Sequence, residues 1–195
     1  MHVQDSIKKI YFATSNIHKF TEVSNILSKY GINVIMVRRK ILEIQSDNLI
    51  EIATQSLYNA LKSGTKTPLI LEDSGLFIRS LNGFPGPYSS YVYRTIGLNG
   101  ILKILEGVED RQAEFKSVIA FADKSMNIKS FIGVVKGRIS YEARGTYGFG
   151  FDPIFIPNHL SKTFGEMPPQ EKNKYSHRAK ALMKFINWSL KEINK

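Results

Sequence analysis

The chain has 195 residues, no cysteine, and 27 Lys+Arg against 17 Asp+Glu, a formal net charge of +10. Disulfides, thiolate nucleophiles and cysteine-held zinc or iron–sulfur centres are therefore excluded. With 43% hydrophobic and 23% charged residues the composition is that of a globular chain, not a disordered one. The length suits one domain over residues 1–195, or two lobes sharing one core, with no separable linker. The positive charge favours polyanions: nucleic acid, anionic membrane or phosphorylated small molecules. The basic residues are nevertheless spread along the chain, with short clusters only at Lys8-Lys9 and Arg38-Arg39-Lys40, which suits a solvated basic surface. Residues 1–10 lack the apolar core followed by small residues of a signal peptide. No apolar run approaches the roughly 20 residues needed to span a bilayer, so a soluble, intracellular (cytoplasmic) protein is expected.

In chain order, residues 10–13 are a short apolar run that ends at Thr14-Ser15-Asn16, a buried strand entering a loop. Phe20, Val23, Ile26, Leu27 and Tyr30 then recur at helical spacing until Gly31 stops them. Residues 32–37 read as a second strand. Leu49, Ile52, Ala53, Leu57, Ala60 and Leu61 predict a helix capped by Asp47 or Asn48. Residues 69–71 predict a third, short strand running into Glu72-Asp73-Ser74-Gly75. Strand–helix–strand–helix–strand is an α/β opening. Residues 81–90, rich in Gly and Pro, read as a loop, and residues 96–105 as a helix. Residues 113–122 and 128–139 read as a hairpin, so the sheet is expected to be mixed. Residues 144–153 form another Gly-rich loop. A last helix is expected over residues 176–193, capped by Ser176, with Ala179, Leu182, Phe185, Ile186 and Leu190 as its apolar stripe.

Four constellations could carry chemistry. Thr14, Ser15, Asn16, His18 and Lys19 place hydroxyls, an amide and a lysine at a helix N-terminus, which suits a phosphate; the P-loop pattern is absent. Glu72 and Asp73 sit where a strand is expected to end, with Glu43 upstream. Two or three carboxylates gathered there could hold Mg²⁺ together with substrate phosphates. In Gly148-Phe149-Gly150-Phe151-Asp152-Pro153, glycines allow a tight turn that presents a ring face to a nucleobase. Lys172, His177 and Arg178 flank a helix start; lysine is a point-charge phosphate partner, and arginine forks onto two oxygens or a base carbonyl. Each has a plainer alternative: a helix cap, a solvated turn acid, a core phenylalanine, an exposed charge run.

Taken together, these segments resemble the inosine triphosphate pyrophosphatase family, also called the dITP/XTP pyrophosphatases. The matching stretches are ATSNIHKFTEV from Ala13, LEDSGLFIRSLNGFPGPYSS from Leu71, GFGFDPIF from Gly148 and TFGEMPPQEKNKYSHRAKAL from Thr163. The run from Tyr91 to Gly97 is closer to archaeal members. The resemblance implies an α/β fold with a mixed, elongated central sheet flanked by helices, in two lobes with the active-site cleft between them. It also implies a homodimer, Mg²⁺, and hydrolysis of ITP, dITP or XTP to the monophosphate and pyrophosphate. By the same resemblance Thr14, Ser15, Asn16, His18 and Lys19 bind the triphosphate. Glu43 and Asp73, with Glu72 as a further candidate, serve the metal, and Asp73 is the proton acceptor. Ser74, Phe149, Gly150, Phe151, Asp152, Lys172, His177 and Arg178 contact the substrate. In the mechanism expected here, Lys19 joins Asp73 in catalysis, and Lys19 and Lys172 offset charge on the departing pyrophosphate. Leu71-Glu72 stands where many bacterial members have Ala-Asp, Phe151 where many have Trp or Tyr, and Gly165 where alanine is usual. Two rival readings are a Maf-like pyrophosphatase of modified nucleotides and a basic nucleic-acid-binding module. The second leaves the carboxylates unexplained, and no stable nucleic-acid partner is expected.

Overall fold

Near-continuous apolar sequence opens the fold as β1 (Lys9–Ala13), in which Ile10 and Phe12 are fully buried. The computed structural model describes residues 7–39 and 41–193; residues 1–6, part of the stretch read for a signal peptide, and Lys40 of the basic cluster lie outside them. Next come α1 (Ile17–Leu27), β2 (Asn33–Val37), α2 (Leu49–Lys62) and β3 (Leu69–Ile78). Asn48 caps α2 with its side chain, and Gly31 closes the turn after α1 at a φ of 72°, as the sequence leads one to expect. Then follow β4 (Pro85–Gly86), α3 (Ser89–Thr95), α4 (Gly97–Ile104), β5 (Gln112–Ala122), β6 (Ile128–Ile139), β7 (Phe155–Pro157), α5 (Pro169–Lys172) and α6 (His177–Ile193).

The strands hydrogen-bond in the order β2-β1-β3-β5-β6-β7, with β4 on β3. β1 pairs in parallel with β2 and with β3, whereas β3–β4 and β6–β7 are antiparallel. The sheet is therefore mixed, as expected of an α/β fold carrying a hairpin. Among the described residues no helix is long and apolar enough to cross a membrane.

Three expectations need correction. β3 is ten residues long, so Glu72 and Asp73 lie inside a strand, not at its end. Its pairing with β1 does stop at Ala13↔Leu71. β3 is also hydrogen-bonded to β5, and β4 meets it at Leu76↔Gly86 and Phe77↔Pro85. Gly75 permits that approach: a Cβ there would lie 2.2 Å from the Gly86 carbonyl oxygen. Second, the stretch read as a loop over residues 81–90 contains β4 and the first two residues of α3. Third, Leu190 is 49% exposed; the buried face of α6 turns instead through Ser189, which lies three to four residues beyond Phe185 and Ile186.

The chain forms two compact units. One comprises residues 1–73, 117–133 and 178–195; the other comprises residues 74–116 and 134–177. Each has its own core. In the first, Ile10, Phe12, Val23, Leu27, Phe121 and Phe185 pack together; in the second, Leu76, Ile101, Val135, Phe155 and Phe164 do so.

Candidate active site

In the first unit β1 delivers the chain to Thr14, whose N–H donates to the Val37 carbonyl at 3.2 Å. The Thr14 hydroxyl accepts from Asn16 N at 3.1 Å, and Asn16 Oδ1 caps α1 by accepting from His18 N at 2.9 Å and Lys19 N at 3.2 Å. Two of the helix-start donors expected to meet a phosphate are thus held by the cap itself. Ser15 and His18 are exposed, and Thr14 and Lys19 are half-buried.

Lys19 lies on the first turn of α1, and its ammonium reaches the acid pair of β3. Its Nζ stands 3.0 Å from Glu72 Oε2 and 4.0 Å from Asp73 Oδ1. Glu72 is buried, whereas the Asp73 side chain keeps 22% of its surface. Glu72 Oε1 accepts a hydrogen bond from the Ser117 hydroxyl at 2.6 Å and faces Arg178 Nη2 at 3.1 Å. Arg178 also pairs through Nη1 with Glu22. Burial alone would raise the Glu72 pKa; Arg178, then Lys19 and the Ser117 hydroxyl, outweigh it and hold the carboxyl well below the usual range. For Arg178 burial works against the charge, and Glu72 and Glu22 reverse it, so its pKa is raised.

Glu43 lies in an irregular segment before α2 and is exposed. Among the described residues no three Asp, Glu or His side chains form a metal-holding group. Glu72 does not fit a metal, because donors and cations face both of its oxygens. Asp73 and Glu43 do fit in donor chemistry: each offers carboxylate oxygen at accessible surface. One or two carboxylates beside substrate phosphates is how Mg²⁺ is commonly held.

In the second unit the aromatic loop and the cation before α6 meet. Lys172 Nζ lies 2.6 Å from Asp152 Oδ2, with both side chains almost wholly buried. The same Asp152 oxygen accepts from Phe149 N at 2.8 Å, and the Lys172 ammonium sits 5.0 Å from the Phe149 ring centre, a cation–π distance. Gly148 makes this possible: with a φ of 75°, a Cβ there would stand 2.1 Å from Asp152 Oδ2. Phe151 belongs to the core, edge-on to Tyr93 at 5.5 Å. His177 is buried and stacks on Phe115 at 4.6 Å with planes 10° apart. Ser74, Phe149 and Gly150 keep intermediate exposure.

Sequence reasoning missed Glu22 and Ser117. Glu22 had a readable signal: it shares the α1 stripe of Val23, Ile26 and Leu27 and is buried with them, and a carboxylate on an apolar face needs a cation. Ser117, fully buried on β5, had none, since a serine within a strand is ordinary.

The chain matches the model of the Ham1 family over residues 10–188. It is 51% identical over 178 residues to the dITP/XTP pyrophosphatase of Ignicoccus hospitalis, covering 91% of this chain and 95% of the relative. It is 54% identical over 180 residues to that of Pyrococcus horikoshii, covering 92% and 96%. Among solved structures, the Staphylococcus aureus Ham1 protein is similar with a TM-score of 0.81 and 31% identity, over 95% of this chain and 100% of that one. A HAM1 protein from Coxiella burnetii has a TM-score of 0.79 and 33% identity, over 94% and 98%.

Proposed function

The chain belongs to the Ham1 family, and from that premise we propose that it is a house-cleaning nucleoside-triphosphate pyrophosphatase. It converts ITP, dITP and XTP to the monophosphate and pyrophosphate, and so keeps deaminated purines out of DNA and RNA. The observation that carries the reading is Lys19: its ammonium lies 3.0 Å from Glu72 and 4.0 Å from Asp73, and the residue directly follows the Thr14–His18 turn on the first turn of α1. A cation, an accessible carboxylate and an anion-favouring helix start come together in one unit, as phosphate chemistry requires.

We assign the triphosphate to Thr14, Ser15, Asn16, His18 and Lys19. Asp73 and Glu43 would hold Mg²⁺, which when bound neutralises charge on the phosphate oxygens. Asp73 orients the attacking water and takes its proton as the water oxygen bonds to the α-phosphorus. The α–β bridging bond breaks, and the pyrophosphate leaves with its new charge offset by Lys19.

The nucleoside end belongs to Ser74, Phe149, Gly150, Phe151, Asp152, Lys172, His177 and Arg178. Base choice follows from the purine 6-position, where hypoxanthine and xanthine carry a carbonyl and adenine an amino group. A donor from His177 or Arg178 is satisfied by the first pair and left unpaired by adenine. An unmade hydrogen bond is most costly at residues as buried as these. The enzyme acts in the cytoplasm as a homodimer.

The test is side-by-side hydrolysis of ITP, XTP, GTP and ATP with Mg²⁺ and pyrophosphate detection. Faster release from ITP and XTP than from ATP is expected. Equal rates on all four would discard the selectivity, and no pyrophosphate from any would discard the activity.

A further inference from the structure

Glu72 is buried and meets three partners, yet nothing in the proposed reaction uses it. Its oxygens divide their partners. Oε1 takes the Ser117 hydroxyl at 2.6 Å and Arg178 Nη2 at 3.1 Å, and Oε2 takes Lys19 Nζ at 3.0 Å. Ser117 is fully buried, and Arg178 nearly so. An ionised carboxylate only accepts, so the Ser117 hydroxyl must spend its one proton on Glu72. That bond fixes which way the carboxylate faces. The Arg178 guanidinium is fixed in turn by Glu22 on its other terminal nitrogen.

We infer that Glu72 is a positioning residue and not a metal ligand: locked by Ser117, its carboxylate holds the Lys19 ammonium and the Arg178 guanidinium in one buried network. This rests on the proposed pyrophosphatase activity. Lys19 has a long, flexible stem and rotatable donors, and without Glu72 its head is free to sample other rotamers. Arg178 opens α6 beside His177, so the same carboxylate orders a residue assigned to the base together with one assigned to the phosphates. Glu72 reaches the reaction through these two cations.

The experiment is a double-mutant cycle, run at several Mg²⁺ concentrations, with kcat and KM for ITP measured for Glu72→Gln, Ser117→Ala, Lys19→Met and the pairs with Lys19→Met. Glu72→Gln and Lys19→Met should each lower kcat/KM by about 10- to 100-fold, the scale of a misplaced active-site group. The double variant should match the worse single to within about two-fold, the usual limit of additivity. Ser117→Ala should move the same way by a smaller factor, with the Mg²⁺ midpoint unchanged. Losses that multiply, or a Mg²⁺ midpoint shifted by Ser117→Ala, would overturn the inference. Should Glu72→Gln fail to fold, Ser117→Ala, which keeps the charge, carries the same cycle. A wild-type protein without turnover would sink the proposed function instead. The cycle is then read on the affinity for a non-hydrolysable α,β-methylene analogue of ITP by calorimetry, where coupling supports the inference and additivity overturns it.

Discussion

Asp152 and Lys172 form a buried ion pair at 2.6 Å, and the same Asp152 oxygen accepts the Phe149 N–H. The aromatic loop and α5 are thereby tied together inside the second unit. A buried pair costs desolvation on both sides, and its removal from one side leaves a stranded charge.

Lys172→Met should therefore destabilise strongly, by about 3–5 kcal/mol, the usual cost of breaking a buried pair from one side. Replacing both partners, with Asp152→Asn added, should recover part of that loss. Thermal unfolding of the two variants checks this; a double variant less stable than Lys172→Met would refute it.

Asp73→Asn should leave the fold intact, because the Asp73 side chain keeps 22% of its surface and Lys19 has Glu72 as its nearer partner. It should lower kcat for ITP by at least ~10²-fold, the low end for a positioned base. Near-normal turnover with an unchanged unfolding temperature would remove Asp73 from the reaction.

Gly165→Ala tests whether the alanine usual in the resembling family can be accommodated here. A Cβ at Gly165 would meet the Arg144 carbonyl oxygen at 2.6 Å and Pro153 Cα at 2.8 Å. Both are backbone atoms, so relief requires the loop to move. A loss of about 1–3 kcal/mol is expected, as for other overpacked sites, measured by denaturant unfolding. Unchanged stability would show that the loop gives way at no cost.

Acid should weaken the first unit through Glu72. Its folded pKa lies below the ordinary carboxylate value of 4.5. Its stabilising contribution is thus complete above the unfolded value and is lost as pH falls from there toward the folded value. The unfolding temperature should drop steadily below about pH 4.5, and Glu72→Gln should flatten that slope. An identical slope in the variant would assign the acid sensitivity to other carboxylates.

Much of this molecule was written in local sequence. The apolar run of β1, the helical spacing of Val23, Ile26 and Leu27, the Asn48 cap, Gly31, and the hairpin around residues 123–127 each act over a few residues. Periodicity and turn chemistry report such features directly. The motif segments named the family for the same reason, since each is contiguous.

What lay beyond the sequence was decided by partners far along the chain. That β3 runs on past Glu72 depends on distant strands, β5 beside it and β4 meeting it at Leu76 and Phe77. That Glu72 is a buried counter-ion depends on Ser117 and Arg178 arriving from β5 and α6. Phe151, legible as an aromatic in a Gly-rich turn, packs into the core against Tyr93. A residue's type states which interactions it can make; burial and the choice among them are settled only when distant segments compete for the same space and charge.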